Sequence, residues 1–287
     1  MDTEVQEISP SGVISKKTID IEAVIRSKNP KLLKFLPRFV LNYFKKVLHE
    51  EEMNAELFKL KDKYDFDFAS QIIKDWNVTV KIIGLENIPP TGGVVFAANH
   101  PLGGFDGLVI FDTMAKVRKD MKFIVNDVLL NLQNLKNLFM PVNKHGKNSV
   151  TMLQDIDALY ASEQATFIYP AGLVSRKNDR GIIEDLQWKK SFITKAKKHK
   201  RNIIPVYLDG RNSNFFYTLS RWRTKLGIKA NLEMFYLVDE MYQQKNKTIT
   251  IIFGKPIPYQ TFDTSKTDLK WAATVKKEVY ELAKLME

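Results

Sequence analysis

A histidine and an aspartate follow one apolar run of this sequence at a spacing that suits general-base chemistry. The run 93–98 leads into a glycine-containing loop that holds His100 and, six residues later, Asp106. A neutral imidazole takes a proton from a hydroxyl near pH 7, and a carboxylate on its other ring nitrogen fixes the tautomer. Gly103 and Gly104 allow the loop to fold back, so that Asp106 reaches His100. The alternative is structural: His100 ends a strand and Asp106 caps the next helix.

A second loop of the same form follows the apolar run 165–169. It contains Gly172 and continues into Ser175, Arg176 and Lys177. A hydroxyl next to two cations suits a phosphate or a carboxylate ligand. The alternative is an exposed turn whose cations are solvated.

In chain order, four short motifs resemble the blocks of the lysophospholipid acyltransferase superfamily, which includes the glycerol-3-phosphate and lysophosphatidate acyltransferases. The resemblance covers about residues 78 to 258, roughly two-thirds of the chain. The matching stretches are 99–106 for the N-H-x-x-x-x-D block, 139–144 for the second block, 169–176 for the F-P-E-G-x-R-S block, and 204–206 for the V-P-V-type block.

The resemblance implies transfer of an acyl group from a thioester to a lipid hydroxyl. His100 is then the general base and Asp106 holds it, with no covalent acyl-enzyme, no metal and no cofactor besides the donor, which is acyl-ACP (acyl carrier protein) or acyl-CoA. Arg176 is the expected ligand of an anionic group of acceptor or donor. The full set of expected substrate-binding residues is Asn99, Gly103, Gly104, Lys144, Gly172, Ser175, Arg176 and Lys177.

Two positions depart from the family pattern. Five residues separate His100 from Asp106 instead of four, so the loop must bulge for the dyad to form. Ala171 stands where the family has the acceptor-binding glutamate, so some contacts to glycerol phosphate are missing. A branch that O-acylates amino-acid lipids, such as ornithine or glycine lipids, is similar in its N-H-P-x-G-x-x-D-G and F-P-A-G blocks. A lyso-amino-acid lipid is therefore the expected acceptor, and a 1-acylglycerol-3-phosphate acyltransferase is the alternative.

The composition and net charge of the chain limit the kinds of binding partner that we expect. The chain has 287 residues, no cysteine, and 44 Lys and Arg against 33 Asp and Glu, a formal net charge of +11. This charge favours an anionic partner, and a non-enzymatic basic lipid- or nucleic-acid-binding protein is the alternative of another class. We expect no nucleic acid, because no nucleic-acid-binding motif is found. No apolar run reaches the roughly 20 residues of a membrane-spanning helix, so the expected location is cytoplasmic and peripheral, on the inner face of the membrane.

Two basic segments could meet such partners. Residues 26–48 carry seven Lys or Arg and no acidic residue, with Leu, Phe and Tyr at helical spacings, and they predict a basic amphipathic helix kinked at Pro37. Its apolar face either lies on an anionic membrane surface or docks on the rest of the protein. Residues 188–201 form the second segment, which could receive the acyl carrier protein or the phosphates of coenzyme A.

The remaining pattern predicts an α/β fold, with a mixed central sheet flanked by helices and an N-terminal helical segment. We divide the chain into 1–75, a tail and amphipathic helical region, and 76–287, an acyltransferase-like α/β domain. The predicted strands are 78–83, 93–98, 122–125, 165–169, 202–208, 232–238 and 248–253. The predicted helices of this domain are 107–117, 129–138, 149–161, 188–200 and 269–286.

Overall fold

The computed structural model describes residues 18–28, 30–126, 129–130, 132–142 and 150–286. The predicted substrate-binding residue Lys144 and most of the N-terminal tail lie outside these ranges. The strands are β1 Thr79–Ile83, β2 Val95–Ala98, β3 Met121–Asn126, β4 Phe139–Val142, β5 Ala165–Ile168, β6 Arg176–Lys177, β7 Ile183–Glu184, β8 Ile203–Asp209 and β9 Thr248–Phe253. The helices are α1 Ile21–Lys28, α2 Pro30–Phe35, α3 Arg38–Val47, α4 Glu50–Lys59, α5 Asp65–Asp75, α6 Gly104–Met114, α7 Val150–Ala161, α8 Ser191–Lys198, α9 Asn214–Lys225, α10 Leu237–Tyr242 and α11 Asp268–Glu281.

Within the described ranges, seven strands form one sheet in the order β1-β9-β8-β2-β5-β3-β4. Its neighbours pair in parallel except β8 and β9, which are antiparallel. The central strand β2 is buried along its whole length, as expected for a strand covered on both faces. The predicted mixed α/β fold is therefore confirmed, and the loops after β2 and β5 leave the sheet at the same edge.

Helices cover both faces of the sheet. Side chains of β2 therefore alternate between two apolar clusters, one on each face. Phe96 and Ala98 face the cluster that includes α5 and α6. Val95 and Ala97 face the cluster that includes α8 and α11. This period-2 alternation fixes the register of the central strand and hence the position of the loop that follows it.

One predicted strand is wrong, and several elements were not predicted. Residues 232–238 form a 3₁₀ helix, Leu232–Tyr236, that runs into α10. The reason is that Glu233, Leu237 and Glu240 turn inward at i, i+4 and i+7, a helical spacing. The predicted helix 129–138 is described as a 3₁₀ helix only over Gln133–Leu138. The unpredicted elements are β4, the short β6–β7 hairpin, α9 and α10.

The N-terminal helices pack beside α10. Pro37 separates α2 from α3, at the position where a kink was predicted. Tyr43 of α3 shares a hydrogen bond of 2.8 Å with Tyr236, and His49 Nε2 lies 2.9 Å from Asp239 Oδ1. No helix among the described residues is long and apolar enough to span a bilayer.

Candidate active site

The first site loop is tied to the sheet by the residue that follows β2. The side-chain amide of Asn99 donates to the carbonyl oxygen of Leu208 at 2.9 Å and accepts from the Leu208 backbone N–H at 2.8 Å. These two bonds hold the end of β2 to β8. Asn99, predicted to contact substrate, is buried with both ends of its amide in use, a geometry that suits orientation of the loop.

His100 and Asp106 meet in the structure. His100 Nδ1 lies 2.9 Å from Asp106 Oδ2, which also accepts from the backbone N–H of Leu102 at 3.0 Å. Burial raises the pKa of the Asp106 carboxyl, and the hydrogen bond with His100 opposes this. With Nδ1–H donating to the carboxylate, Nε2 is the acceptor atom of a partly exposed imidazole. Gly103, at φ 73°, takes up the added loop residue in a conformation that side chains rarely adopt.

Tyr169, the first residue after β5, holds the plane of the imidazole. The two rings stack with centroids 4.0 Å apart and an angle of 15° between planes. Phe123 and Phe167 each contact Tyr169 edge-on at 5.5 Å. Burial raises the pKa of the Tyr169 hydroxyl well above its ordinary value, so this group stays neutral.

Asp185 joins the two site loops, and the sequence motifs did not reveal it. Its Oδ1 accepts from Ser175 Oγ at 2.6 Å and from the backbone N–H of His100 at 3.1 Å, and its Oδ2 accepts from Trp188 Nε1 at 2.8 Å. The Ser175 backbone N–H donates in turn to the His100 carbonyl oxygen at 2.8 Å. Burial raises the pKa of the Asp185 carboxyl. The hydroxyl of Ser175, predicted to bind substrate, is therefore committed to Asp185.

Arg176, the predicted ligand of an anionic group, lies in a buried network. Its Nη2 and Nε donate to Glu233 Oε1 at 2.7 and 3.2 Å, and its Nη1 donates to the carbonyl oxygen of Val174 at 2.5 Å. Arg223 binds the same glutamate. Each guanidinium nitrogen of Arg176 thus already has an acceptor, a geometry that suits bracing of the second loop. Contact of Arg176 with substrate stays a prediction.

A different cation lies beside the second loop. Gly172 adopts φ 67°, and a Cβ built on it would lie 3.5 Å from Lys189 Nζ. The backbone N–H of Lys189 donates to the carbonyl oxygen of Pro170 at 3.0 Å, which fixes the residue to this loop. Within the described ranges, the ammonium group of Lys189 makes no ion pair. Sequence reasoning placed Lys189 only in the basic segment 188–201.

Most other cations of the segment 188–201 form ion pairs inside the chain. Lys195 and Lys198 both bind Asp157, and Lys197 binds Asp268 at 2.9 Å. Hydrogen bonds from these lysines hold the pKa of Asp157 well below its ordinary value. The charge of this segment is consequently smaller than its sequence indicates.

Two further predicted substrate-binding residues lie in regular elements. Gly104 begins α6, and Lys177 lies on the β6 strand of the second loop.

Residues 23–287 match the model of a family described as acyltransferase. The lyso-glycine lipid O-acyltransferase of Bacteroides thetaiotaomicron is 43% identical over 265 residues, which are 92% of this chain and 97% of the relative. A protein of the same description from Phocaeicola vulgatus is also 43% identical over 265 residues, 92% of this chain and 95% of the relative.

Among solved structures, the fold is similar to that of the 1-acyl-sn-glycerophosphate (LPA) acyltransferase PlsC from Thermotoga maritima. The TM-score is 0.50 at 18% sequence identity, and the match covers 84% of this chain and 88% of that one. At this identity the likeness shows the fold alone.

Proposed function

This chain belongs to the acyltransferase family, and on that premise we propose that it transfers a fatty acyl group from an acyl thioester to the hydroxyl of a lyso-amino-acid lipid of the lyso-glycine type. Two near-full-length relatives named for that reaction support the acceptor class. The observation that carries the chemistry is the 2.9 Å hydrogen bond between His100 Nδ1 and Asp106 Oδ2, which leaves Nε2 to act on the acceptor.

In the proposed reaction, His100 Nε2 takes the proton of the acceptor hydroxyl as its oxygen attacks the thioester carbonyl carbon. The new C–O bond forms, the C–S bond breaks, and the leaving thiolate receives the proton from the imidazolium. Asp106 stabilises the imidazolium and holds its tautomer, and the stacked ring of Tyr169 keeps its plane. No covalent acyl-enzyme is needed, because the dyad activates the acceptor directly.

The acceptor class follows from the charge beside the second loop. An N-acyl amino acid carries a carboxylate, and Ala171 removes the negative charge that the family's glutamate would place there. We assign the binding of this carboxylate to Lys189, whose Nζ lies by Gly172 and makes no ion pair within the described residues. Arg176 is already bound to Glu233, and it holds this loop by donating to the carbonyl oxygen of Val174.

Membrane binding through the N-terminal helices is part of the proposal. Phe35 and Phe39 are 84% and 75% exposed, although an apolar face that docked on the protein would be buried. Lys34 and Arg38 lie exposed beside them, so the segment offers apolar and cationic groups together. The location we propose is the cytoplasmic side, on the inner face of the membrane. The donor, acyl-ACP or acyl-CoA, would approach the cations of segment 188–201 that remain free of carboxylates within the described chain, such as Lys190.

The test is a comparison of kcat/KM for two acceptors with one acyl-CoA or acyl-ACP donor. The purified protein is given an N-(3-hydroxyacyl)glycine and lysophosphatidate, and the acylated products are measured by mass spectrometry. We expect the glycine lipid to be preferred by at least tenfold, about 1.4 kcal/mol in transition-state binding. A tenfold preference for lysophosphatidate would overturn the assignment in favour of phospholipid synthesis.

A further inference from the structure

The end of α9 and the loop after it expose a group of apolar side chains. Trp222 is 65% exposed and Leu226 is 67% exposed, and Ile228 and Phe235 are exposed nearby. Soluble proteins seldom leave such side chains together in water without a partner. We call residues 221–235 the rim segment.

The charge of the rim segment has one sign at its surface. Lys225 and Lys229 are exposed between its apolar side chains, and residues 221–232 contain no acidic residue. The one carboxylate of the segment, Glu233, is buried against Arg223 and Arg176. The surface therefore presents apolar and cationic groups and no exposed carboxylate.

Aromatic contacts join the rim segment to α3. Phe44 and Phe235 stack with ring centroids 6.0 Å apart, and Tyr43 shares its 2.8 Å hydrogen bond with Tyr236. Tyr236 also meets the ring of Phe215, at the start of α9, at 4.8 Å. The exposed face of α3 and the rim segment consequently form one continuous surface.

The elements that carry this surface pack against the loop that holds His100. Leu237, two residues after the rim segment, packs against Gly103, and a Cβ built on Gly103 would be 3.3 Å from Leu237 Cδ1. Before the start of α9, Asn212 Nδ2 donates to the carbonyl oxygen of Pro101 at 3.1 Å. A lipid held on this surface would therefore lie next to the loop that carries His100.

We propose that the rim segment is a second membrane-contacting surface, which acts with α3 to hold the mouth of the active site against an anionic bilayer. Tryptophan and aliphatic side chains interleaved with lysines suit the boundary between headgroups and acyl chains. An acidic protein surface could pair with the lysines, but the high exposure of Trp222 and Leu226 and the continuity with α3 favour lipid. The acceptor then reaches His100 from the bilayer without crossing water. This inference rests on the proposed function for its acceptor, but not for its vesicle binding.

The test compares Trp222→Ser/Leu226→Ser with the control Leu153→Ser/Leu269→Ser. The control residues are 50% and 42% exposed, and they lie on α7 and α11, away from the rim segment. Binding is measured by sedimentation with vesicles of phosphatidylglycerol and phosphatidylcholine. We expect the rim variant to bind at least tenfold more weakly than the parent protein and the control to stay within twofold. Thermal unfolding of both variants checks that the fold is kept.

A second measurement separates membrane contact from damage to the site. Each protein is assayed with a vesicle-embedded long-chain acceptor and with a short-chain monomeric one. We expect the rim variant to lose at least tenfold more activity on the embedded acceptor than on the monomeric one. A further variant, Lys225→Glu/Lys229→Glu, is expected to lose binding to anionic vesicles but not the weaker binding to pure phosphatidylcholine.

Three results would overturn the proposal. These are vesicle binding by the rim variant that equals the parent's, an equal loss on both acceptors, and retained vesicle binding with selective loss of acyl-ACP as donor, which would indicate a protein partner. If the parent protein acylates neither acceptor, the proposed function fails, while the vesicle sedimentation still decides the role of the rim segment.

Discussion

The substitution Asp185→Asn tests whether a buried carboxylate outside the dyad positions His100. Asp185 accepts three hydrogen bonds, from Ser175 Oγ, from the backbone N–H of His100 and from Trp188 Nε1. An asparagine amide keeps one oxygen and turns the other into an NH₂ donor. With the oxygen toward His100, the NH₂ group faces the indole N–H. With the oxygen toward Trp188, the His100 N–H loses its acceptor, while the Ser175 hydroxyl is free to rotate.

Either orientation leaves a donor facing a donor in a buried place. A hydrogen bond to a charged group contributes about 1.5–3 kcal/mol, and a buried polar group without a partner costs about 1–3 kcal/mol. We therefore expect Asp185→Asn to lower the free energy of unfolding by about 2–3 kcal/mol. Where the His100 N–H loses its acceptor, the catalytic loop shifts, and we expect kcat to fall about 10- to 100-fold, since each 1.4 kcal/mol of barrier is tenfold.

The assay is steady-state kinetics together with urea unfolding of four proteins: the parent, Asp185→Asn, Trp188→Phe and the double variant. Trp188→Phe removes the indole N–H together with part of a buried ring, so it should lower stability through both losses, with little change in kcat. In the double variant, the amide oxygen can face His100 and Ser175 with no donor opposite its NH₂ group. We expect the double variant to recover most of the kcat that Asp185→Asn loses. An unchanged kcat in Asp185→Asn, or no recovery in the double variant, would refute a positioning role.

Further predictions concern the dyad, the acceptor, the buried glutamate and the N-terminal helices. His100→Ala should lower kcat by about 10²–10⁴ in a protein that still folds, as checked by circular dichroism, and retained turnover would exclude it as the base. Lys189→Gln should raise KM for the glycine lipid about tenfold with a smaller change in KM for the donor, as expected when one charge-assisted hydrogen bond is lost; equal changes would assign Lys189 to the donor instead. Burial raises the pKa of Glu233, but the hydrogen bonds from Arg223 and Arg176 outweigh it and leave the pKa below its ordinary value. Its stabilising effect is thus present above the ordinary carboxyl pKa of about 4.3 and is lost as pH falls through the folded value. Glu233→Gln should therefore be less stable at pH 7 and should lose less stability between pH 5 and pH 3 than the parent, as measured by urea unfolding at each pH. Charge reversal at Lys34 and Arg38 should weaken sedimentation with anionic vesicles by at least tenfold, since each cation near such a surface contributes about 1 kcal/mol; unchanged binding would remove α2 and α3 from the membrane contact.

Local patterns in the sequence were sufficient for the central strands and for the hydrogen bond between His100 and Asp106. Residues 93–98 read as a strand from composition alone, and the position of His100 and Asp106 after that strand follows from the chain itself. The glycines between them predicted that the loop could fold back, and Gly103 does so at positive φ. These features depend on neighbours along the chain, so a single sequence carries the information.

The partners of the second loop were decided only by the tertiary structure. Glu233 lies 57 residues from Arg176, and nothing local indicates that the two form an ion pair. The same glutamate lies in the helical turns that replace the expected strand 232–238, and its carboxylate binds the buried Arg176 and the half-buried Arg223. Asp185 likewise belongs to no recognisable motif. Its role comes from its position in space, where it accepts hydrogen bonds from both His100 and Ser175. Pairings of buried charges across long sequence separations depend on how helices and loops pack, which residue types and spacing along the chain do not specify.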